Sequence, residues 1–160
     1  MKEIQLTQGK FAIVDDSEYE RLNQHKWYAQ KGGGTFYAAR FIKKPDGKRA
    51  TIYMHREILG LKFGDPRQGD HRNHNTLDNR RDKLRVCTNK QNHQNMRPYK
   101  NCSSAYKGVS WNKDQNKWEV YIHCDGKKKR LGFYESEIIA AKVYDKAAIS
   151  IFGSFAKINF

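Results

Sequence analysis

The stretch from Gln68 to Asn95, QGDHRNHNTLDNRRDKLRVCTNKQNHQN, decides how the middle of this chain folds. It places Asp70 and His71 side by side, then a polar run rich in asparagine and arginine, and then the short apolar segment Leu84–Thr88. This segment has the composition of a strand, which predicts a hairpin that folds back on Asp70. In so basic a stretch, the Asp70 carboxylate would repel a polyanion unless a cation lay between them.

A short helix is predicted to follow the hairpin. Thr88 and Gln91 have the spacing of a capping box, so the helix should carry Asn92 in its first turn. Folding the hairpin back would bring Asp70 and Asn92 together, and their oxygens suit a hard divalent cation such as Mg²⁺ or, alternatively, Mn²⁺. A neutral His71 beside that ion could take a proton from water.

The charge of the chain favours a polyanionic partner. Its 160 residues include 31 lysines and arginines against 17 acidic residues, a formal net charge of +14 that is densest between residues 61 and 100. Such an excess is typical of proteins that bind nucleic acid or an anionic membrane surface, and it exceeds what solubility requires. We therefore expect a nucleic acid as the partner, and the family resemblances that follow imply double-stranded DNA, with no small-molecule cofactor. A monomer is favoured, although the sequence leaves the oligomeric state open.

The location of the protein is inferred from what the sequence lacks. No apolar run approaches the ~20 residues of a membrane span, and the first ten residues lack the apolar core of a signal peptide. The three cysteines, Cys87, Cys102 and Cys124, are far apart and odd in number, which disfavours disulfides and a thiolate zinc site. These features predict a cytoplasmic protein with no membrane partner.

The chain is predicted to contain two α+β domains joined by a linker. Residues 1–60 contain short strand-like runs, and the Asp-Gly pair at 46–47 between two of them predicts a hairpin. The segment 97–104, RPYKNCSS, has no periodicity and is the predicted linker. Beyond it, three short runs rich in Val, Ile, Tyr and Trp precede a helical pattern, which predicts a small three-stranded antiparallel sheet packed on one helix. The predicted boundaries are 1–96, with a β-rich N-terminal extension, 97–104 and 105–160.

Three segments, MHREILG, GDHRNHNTLDNRR and LRVCTNKQN, together resemble the HNH (His-Asn-His) homing-type endonucleases of the ββα-metal class. The resemblance implies an N-terminal and central ββα-metal nuclease domain with His71 as general base and one divalent metal, Mg²⁺ or Mn²⁺, held by Asp70 and Asn92. The metal would stabilise charge at the leaving 3′ oxygen. His55 is expected to support the hairpin of the site. Candidate DNA contacts in this region are Arg72, Arg80 and Arg81.

One position departs from the HNH pattern. The family's middle asparagine usually lies 12 residues after the histidine, where this chain has Lys83, while Asn79 is close by but out of register. Lysine has no hydrogen-bond acceptor and cannot organise a loop as an amide does. Lys83 therefore marks a changed supporting position, and it keeps open the alternative of a sequence-tolerant DNA-binding regulator with a decayed nuclease site.

The C-terminal segment resembles the plant ethylene-response-factor type of DNA-binding domain, on the motifs YKGV, LGFY, AAKVYDKAA and FGSFAKINF. The resemblance implies a three-stranded sheet that enters the major groove of DNA. Ser110 and Tyr121 stand where plant members often carry arginine, so base specificity should differ. The candidate DNA contacts on this sheet are Lys107, Ser110, Lys113, Lys117, Tyr121, Lys129 and Arg130.

Together these features predict a metal-dependent DNA endonuclease of the homing type, docked on its target by the C-terminal domain. Such an architecture resembles the mobile endonucleases of bacteria, phages and introns, which places the protein in the cytoplasm of a bacterial or phage-infected cell. An RNA-binding structural protein is disfavoured, because the sequence shows no aromatic platform motif of an RNA-binding module.

Overall fold

The computed structural model describes residues 1–44, 46–96 and 102–160, which form two compact units, Met1–Asn89 and Lys90–Phe160. Both units combine helices with small antiparallel sheets, which confirms the α+β class. Residues 97–101 of the predicted linker and Pro45 beside the predicted Asp-Gly turn lie outside the described residues. Within the described part of the chain, no helix is long and apolar enough to cross a membrane.

The first unit consists of short strands that pair with their neighbours along the chain. Gly33 and Gly34, both with positive φ, join the third and fourth strands in a tight two-residue hairpin. The run of three glycines in the sequence suggests a looser turn at this place. Among the described residues of this unit, three antiparallel sheets contain the first and second strands, the third to fifth strands, and the sixth and seventh strands. The elements are β1 (Lys2–Gln5), β2 (Phe11–Val14), α1 (Asp16–Asn23), β3 (Tyr28–Gly32), β4 (Thr35–Lys43), β5 (Arg49–Tyr53), α2 (Met54–Ile58), β6 (Gln68–His71) and β7 (Leu84–Cys87).

One apolar cluster holds these small sheets together. Leu22 of α1 and Met54 of α2 are fully buried against residues of β1, β2 and β7. Trp27 packs in the same cluster, and its indole N–H donates to the Leu22 carbonyl at 2.8 Å, which satisfies a buried donor. Because Leu84 of β7 belongs to this cluster, the core fixes the hairpin that carries Asp70 and His71.

The loop between β6 and β7 is fixed by the N-terminal strands. Ile13 of β2 donates its N–H to the Leu77 carbonyl at 2.8 Å and accepts from the Asn79 N–H at 2.7 Å. The Thr76 hydroxyl donates to the Phe36 carbonyl of β4 at 2.6 Å. The β-rich extension therefore gives a long polar loop a defined path through backbone hydrogen bonds.

The second unit contains the predicted three-stranded sheet and its helix. The strands β8 (Val109–Asn112), β9 (Lys117–Cys124) and β10 (Lys127–Tyr134) pair antiparallel in the order β10-β9-β8, and α4 (Glu137–Phe152) packs on them. The short helix α3 (Asn89–Gln94) begins at the last residue of the first unit and lies otherwise in the second. This arrangement confirms the three strands and both helices predicted for the region.

Gly108, in the YKGV motif, is required by the packing of the sheet on α4. It adopts a φ of +75°, and a Cβ atom there would lie 2.0 Å from Cδ2 of Tyr144 and 2.7 Å from the Tyr121 carbonyl oxygen. Since real Cβ atoms do not approach so closely, no residue other than glycine fits without movement of the helix.

Candidate active site and nucleic-acid interface

The hairpin of β6 and β7 brings Asp70 opposite Arg85. The two residues are register partners, and both are more than 90% buried. Nε and Nη2 of Arg85 each lie 2.7 Å from Oδ2 of Asp70. The guanidinium therefore balances the buried carboxylate and fixes its orientation. Sequence reasoning missed Arg85. Pairing of the two strands could have identified it, because residues directly opposite each other in an antiparallel pair share a face of the sheet.

His71 is held by an asparagine from the loop. Its Nε2 lies 3.3 Å from Oδ1 of Asn79, and the amide of Asn79 is itself oriented because Nδ2 donates to the Leu77 carbonyl at 3.1 Å. An amide oxygen can only accept, so Nε2 of His71 carries the proton and Nδ1 is the unprotonated nitrogen. Both side chains are buried. The arrangement suits a histidine that must accept a proton.

Burial also sets the charge state of His71. Loss of hydration lowers the pKa of this imidazole below its ordinary value of 6.5, and this outweighs the hydrogen bond that the ring donates to Asn79 and the charge of Asp70, which act to raise the pKa. The ring is therefore neutral at neutral pH, as a general base has to be.

His55 lies beside His71, with the two ring centroids 4.9 Å apart. Burial lowers the pKa of His55 to about 3, so this ring is neutral and serves as packing rather than as a charge. Gly69 makes the approach possible: a Cβ atom there would lie 2.6 Å from Cδ2 of His55 and 3.0 Å from Cδ1 of Leu59. The structure therefore places His55 where it supports the strand that carries Asp70.

We expect Gly69→Ala to destabilise the first unit by about 1–3 kcal/mol, because the added methyl group overpacks the contact with His55. The measurement is the midpoint of urea unfolding. Gly32→Ala is the matched control in a strand of the same unit, since its Cβ would lie at an ordinary 3.6 Å from Tyr37. Equal midpoints for the two variants would contradict the packing role of Gly69.

At Lys83 the structure differs from the interpretation based on residue counting. The amide beside His71 comes from Asn79, and the Lys83 ammonium lies 2.6 Å from the carboxylate of Asp82. Lys83 ends a single turn of 3-10 helix, Arg81–Lys83, and its carbonyl accepts the N–H of Arg72 at 2.9 Å. Lys83 thus supports the hairpin through its backbone, because the loop is bound to β2 and turns Asn79 inward instead.

The three arginines predicted to contact DNA near the site differ in their surroundings. Arg72 and Arg81 are exposed. Arg80 instead forms a paired contact with Asp78, with Nε 2.8 Å from Oδ1 and Nη2 2.6 Å from Oδ2. The guanidinium holds the pKa of the buried Asp78 carboxyl below its usual range. Arg80 therefore stabilises the loop, whereas the side chains of the other two point to solvent.

The two residues predicted to bind a metal, Asp70 and Asn92, both carry oxygen atoms, and a cysteine lies near the first of them. Burial raises the pKa of the nearby Cys87 thiol to about 11, which keeps it protonated at neutral pH. Among residues 1–44, 46–96 and 102–160, no three His, Cys, Asp or Glu side chains gather as a metal-binding group. Asp70 belongs to the first unit and Asn92, on α3, to the second, so their convergence on a metal stays a prediction.

The sheet of the second unit has one face on α4 and one open face. Val120 and Ile122 of β9 pack in the core under α4, so the alternate residues Glu119 and Tyr121 face the other way. Register places Ser110 opposite Glu119 and Arg130 opposite Tyr121, on the open face. Lys129 pairs with Ile122 and therefore lies on the α4 side, which corrects its predicted place on the groove-facing surface.

A carboxylate lies among the basic side chains of the open face. Glu119, 7% exposed, has its Oε1 2.7 Å from Nε of Arg130 and 3.6 Å from Nζ of Lys128. The hydrogen bond from Arg130 is the main reason that the pKa of Glu119 is lowered. Lys128 also lies over the ring of Tyr121, 4.2 Å from its centroid. Sequence reasoning missed both Glu119 and Lys128, and strand alternation was the signal that could have found them.

The remaining lysines predicted to contact DNA differ in the surroundings of their side chains. Lys113 is exposed in the turn between β8 and β9. Lys117 lies 3.8 Å from an exposed carboxylate oxygen of Glu135. Lys107 points its ammonium at two backbone carbonyl groups, 2.6 and 2.7 Å away, and not at solvent. Lys107 is thus bound within the protein, contrary to its expected place among the DNA contacts.

No family model matches the chain. It is 30% identical over 155 residues to an uncharacterized HNH endonuclease of Acanthamoeba polyphaga mimivirus, an alignment that covers 94% of this chain and 75% of the relative. It is also 30% identical over 88 residues to Protein 3.8 of Escherichia phage T7, which covers 55% of the chain and 72% of that protein.

A second similarity covers a smaller part of the chain. Over 58 residues, 36% of its length, the chain is 41% identical to APETALA2-like protein 2 of Oryza sativa, of which it spans 13%. This similarity is too short to describe the whole molecule, whereas the mimivirus alignment includes nearly all of it. The chain belongs to the HNH endonuclease family.

Proposed function

We propose that this protein is a metal-dependent DNA endonuclease of the homing type in which His71 acts as general base. The observation that carries the proposal is the buried contact between His71 and Asn79, next to Asp70 on the same hairpin. It fixes one tautomer of a neutral imidazole, which is the form that accepts a proton from water. The net charge of +14 supports a nucleic acid as the substrate.

In this mechanism Nδ1 of His71 removes a proton from the water that attacks the scissile phosphate. Asn79 keeps the ring in its orientation while Nε2 retains its proton, and burial keeps the ring neutral before the reaction. The packing of His55 against the neighbouring ring limits the positions that His71 can take. These residues therefore supply a preorganised base.

Asp70 and Asn92 are the residues proposed to hold one divalent metal, with Mg²⁺ preferred and Mn²⁺ as the alternative. The donor chemistry fits, because both side chains offer the hard oxygen atoms that Mg²⁺ prefers. Arg85 orients the Asp70 carboxylate in the way that outer hydrogen-bond partners orient metal-binding groups. When bound, the ion would supply positive charge at the leaving 3′ oxygen.

We further propose that the open face of the β8–β10 sheet docks duplex DNA. Arg130, Lys128 and the exposed Lys113 supply positive charge, and Tyr121 supplies a planar group on the same face. Glu119 holds Arg130 and Lys128 in place, so that the two cations are presented as a fixed pair. The similarity of 58 residues of the chain to APETALA2-like protein 2 supports the assignment.

The test is cleavage of supercoiled plasmid with Mg²⁺, with Mn²⁺ and with chelator. We expect nicked or linear product only when metal is present, together with DNA binding that persists in chelator and weakens steeply with salt. A His71→Ala protein purified in parallel reports any contaminating nuclease. Binding without cleavage under either metal would contradict the proposal and favour a sequence-tolerant DNA-binding regulator with a decayed nuclease site.

A further inference from the structure

Lys107 lies against the end of α3. Its Nζ donates to the carbonyl of Gln94 at 2.6 Å and to that of Met96 at 2.7 Å. The last carbonyl groups of a helix have no partner within it, and a lysine that binds them also interacts favourably with the negative end of the helix dipole. The ammonium of Lys107 thus caps the C-terminal end of this helix.

The backbone of Lys107 is itself fixed by the end of the chain. Its N–H donates to Oδ1 of Asn159 at 2.8 Å, and its carbonyl accepts from Nδ2 of Asn159 at 3.3 Å. Asn159 is held in turn by Oδ1 of Asp145 on α4, at 2.8 Å from its N–H and 2.9 Å from Nδ2. The lysine therefore extends from a rigid point of the second unit.

A second contact fixes the other end of α3. Lys90, in the first turn, forms an ion pair with Asp125 in the turn between β9 and β10. A lysine at this end is unfavourable for the helix dipole, so the helix itself gains nothing from its position. A helix of six residues is also too short to be stable alone, and its order must come from such contacts.

We propose that Lys107 is a positioning residue of the nuclease, through which the C-terminal unit holds α3 and with it Asn92. The inference rests on the proposed function, in which Asn92 is a metal ligand. It gives the C-terminal unit a part in the cleavage step in addition to DNA docking. Lys107 thereby differs in role from Lys113, which is exposed and has the character of a DNA contact.

Burial is consistent with this assignment. Loss of hydration, with a smaller contribution from the nearby Lys157, lowers the pKa of Lys107 to about 8. A lysine that contacts DNA phosphates is normally solvated in the free protein and forms its ion pair only when DNA binds. Lys107 is already bound by carbonyl groups in the absence of DNA.

The experiment compares the full-length wild type with Lys107→Met and uses Lys113→Met as the matched control. Amide hydrogen exchange of peptides covering residues 89–96 should be about tenfold faster in Lys107→Met, as expected when hydrogen bonds to a charged group are lost. Amide exchange in β9 and α4 should be unchanged. This result would show that the second unit stays folded in the variant. Lys107→Arg should restore slow exchange, since a guanidinium can donate to both carbonyl groups.

The link to the metal is measured without relying on cleavage. Mn²⁺ binding to the full chain with duplex DNA, followed by electron paramagnetic resonance, should weaken about tenfold in Lys107→Met. DNA affinity in chelator should stay within about twofold of wild type for Lys107→Met and fall for Lys113→Met, since only the latter removes a phosphate contact.

Three results would overturn the inference: unchanged exchange in α3, faster exchange with unchanged Mn²⁺ affinity, or a loss of DNA affinity equal to that of Lys113→Met. A wild-type protein that binds no Mn²⁺ would instead refute the metal site of the proposed function. In that case the exchange measurement would still decide whether Lys107 holds the helix.

Discussion

Asp70→Asn should abolish cleavage and leave DNA binding in chelator within about twofold of wild type. The carboxylate is the one charged oxygen donor proposed for the metal, and loss of a metal contribution of several kcal/mol corresponds to a rate decrease of ~10³-fold or more. Asparagine is the informative replacement, because its amide oxygen can still accept from the buried Arg85. The measurement is single-turnover cleavage of plasmid with saturating Mg²⁺.

The choice of variant and a matched control separate loss of the metal from loss of the fold. Asp70→Ala would leave the Arg85 guanidinium buried without this partner, at a cost of about 3–5 kcal/mol, so its inactivity would be ambiguous. Asp78→Asn is the matched control, since Asp78 is also buried and paired with an arginine of the same loop but is not a proposed ligand. Cleavage by Asp70→Asn at the rate of the control would refute the assignment of Asp70.

The elements around the site could be predicted because their signals are local. The strand at Leu84–Cys87, the helix that begins at Asn89 and the hairpin flanking the Asp-Gly pair at 46–47 all follow from short runs of residue types, turns and caps. The three-stranded sheet and α4 follow in the same way. Such patterns indicate where an element begins and which residues it contains, although a helix as short as α3 still depends on tertiary contacts for its stability.

Contacts within the site could not be predicted, because they depend on the path of the chain between elements. Counting from His71 selects Lys83 as the supporting position, yet hydrogen bonds with Ile13 give the loop a path that turns Asn79 toward the histidine. A strand more than sixty residues earlier thus decides which side chain reaches the base.

The same limit applies to the second unit. Carrying over DNA contacts by motif position assigns Lys107 and Lys129 to the groove-facing surface. The backbone bonds of Asn159, almost at the end of the chain, help fix Lys107, and strand register places Lys129 on the α4 side. The first fact depends on a residue far from the motif, whereas the second follows from the alternation of side chains along β10. The motifs indicate the sheet and its helix, but the contacts of Lys107 depend on a distant segment.

His71→Ala should reduce the cleavage rate ~10²–10⁴-fold, the usual effect of removing a general base. DNA binding in chelator should change little, because the imidazole is buried and neutral and therefore contributes no charge to phosphate binding. His25→Ala, on the exposed surface beyond α1, is the matched control and should cleave like wild type.

The pH dependence of wild-type cleavage tests the same residue in its native surroundings. A general base works only when unprotonated, so the rate should fall as pH decreases through the pKa of His71. Because burial lowers that pKa below 6.5, the decrease should have its midpoint below pH 6.5, and the rate should be level from there to pH 8. Asn79→Leu removes a hydrogen bond that favours the protonated ring, so it should move the midpoint of the pH profile to a lower pH. It should also slow the reaction, because the ring then loses its fixed tautomer. A midpoint above 6.5, or a profile that is flat across and below this range, would mean that another group takes the proton from water.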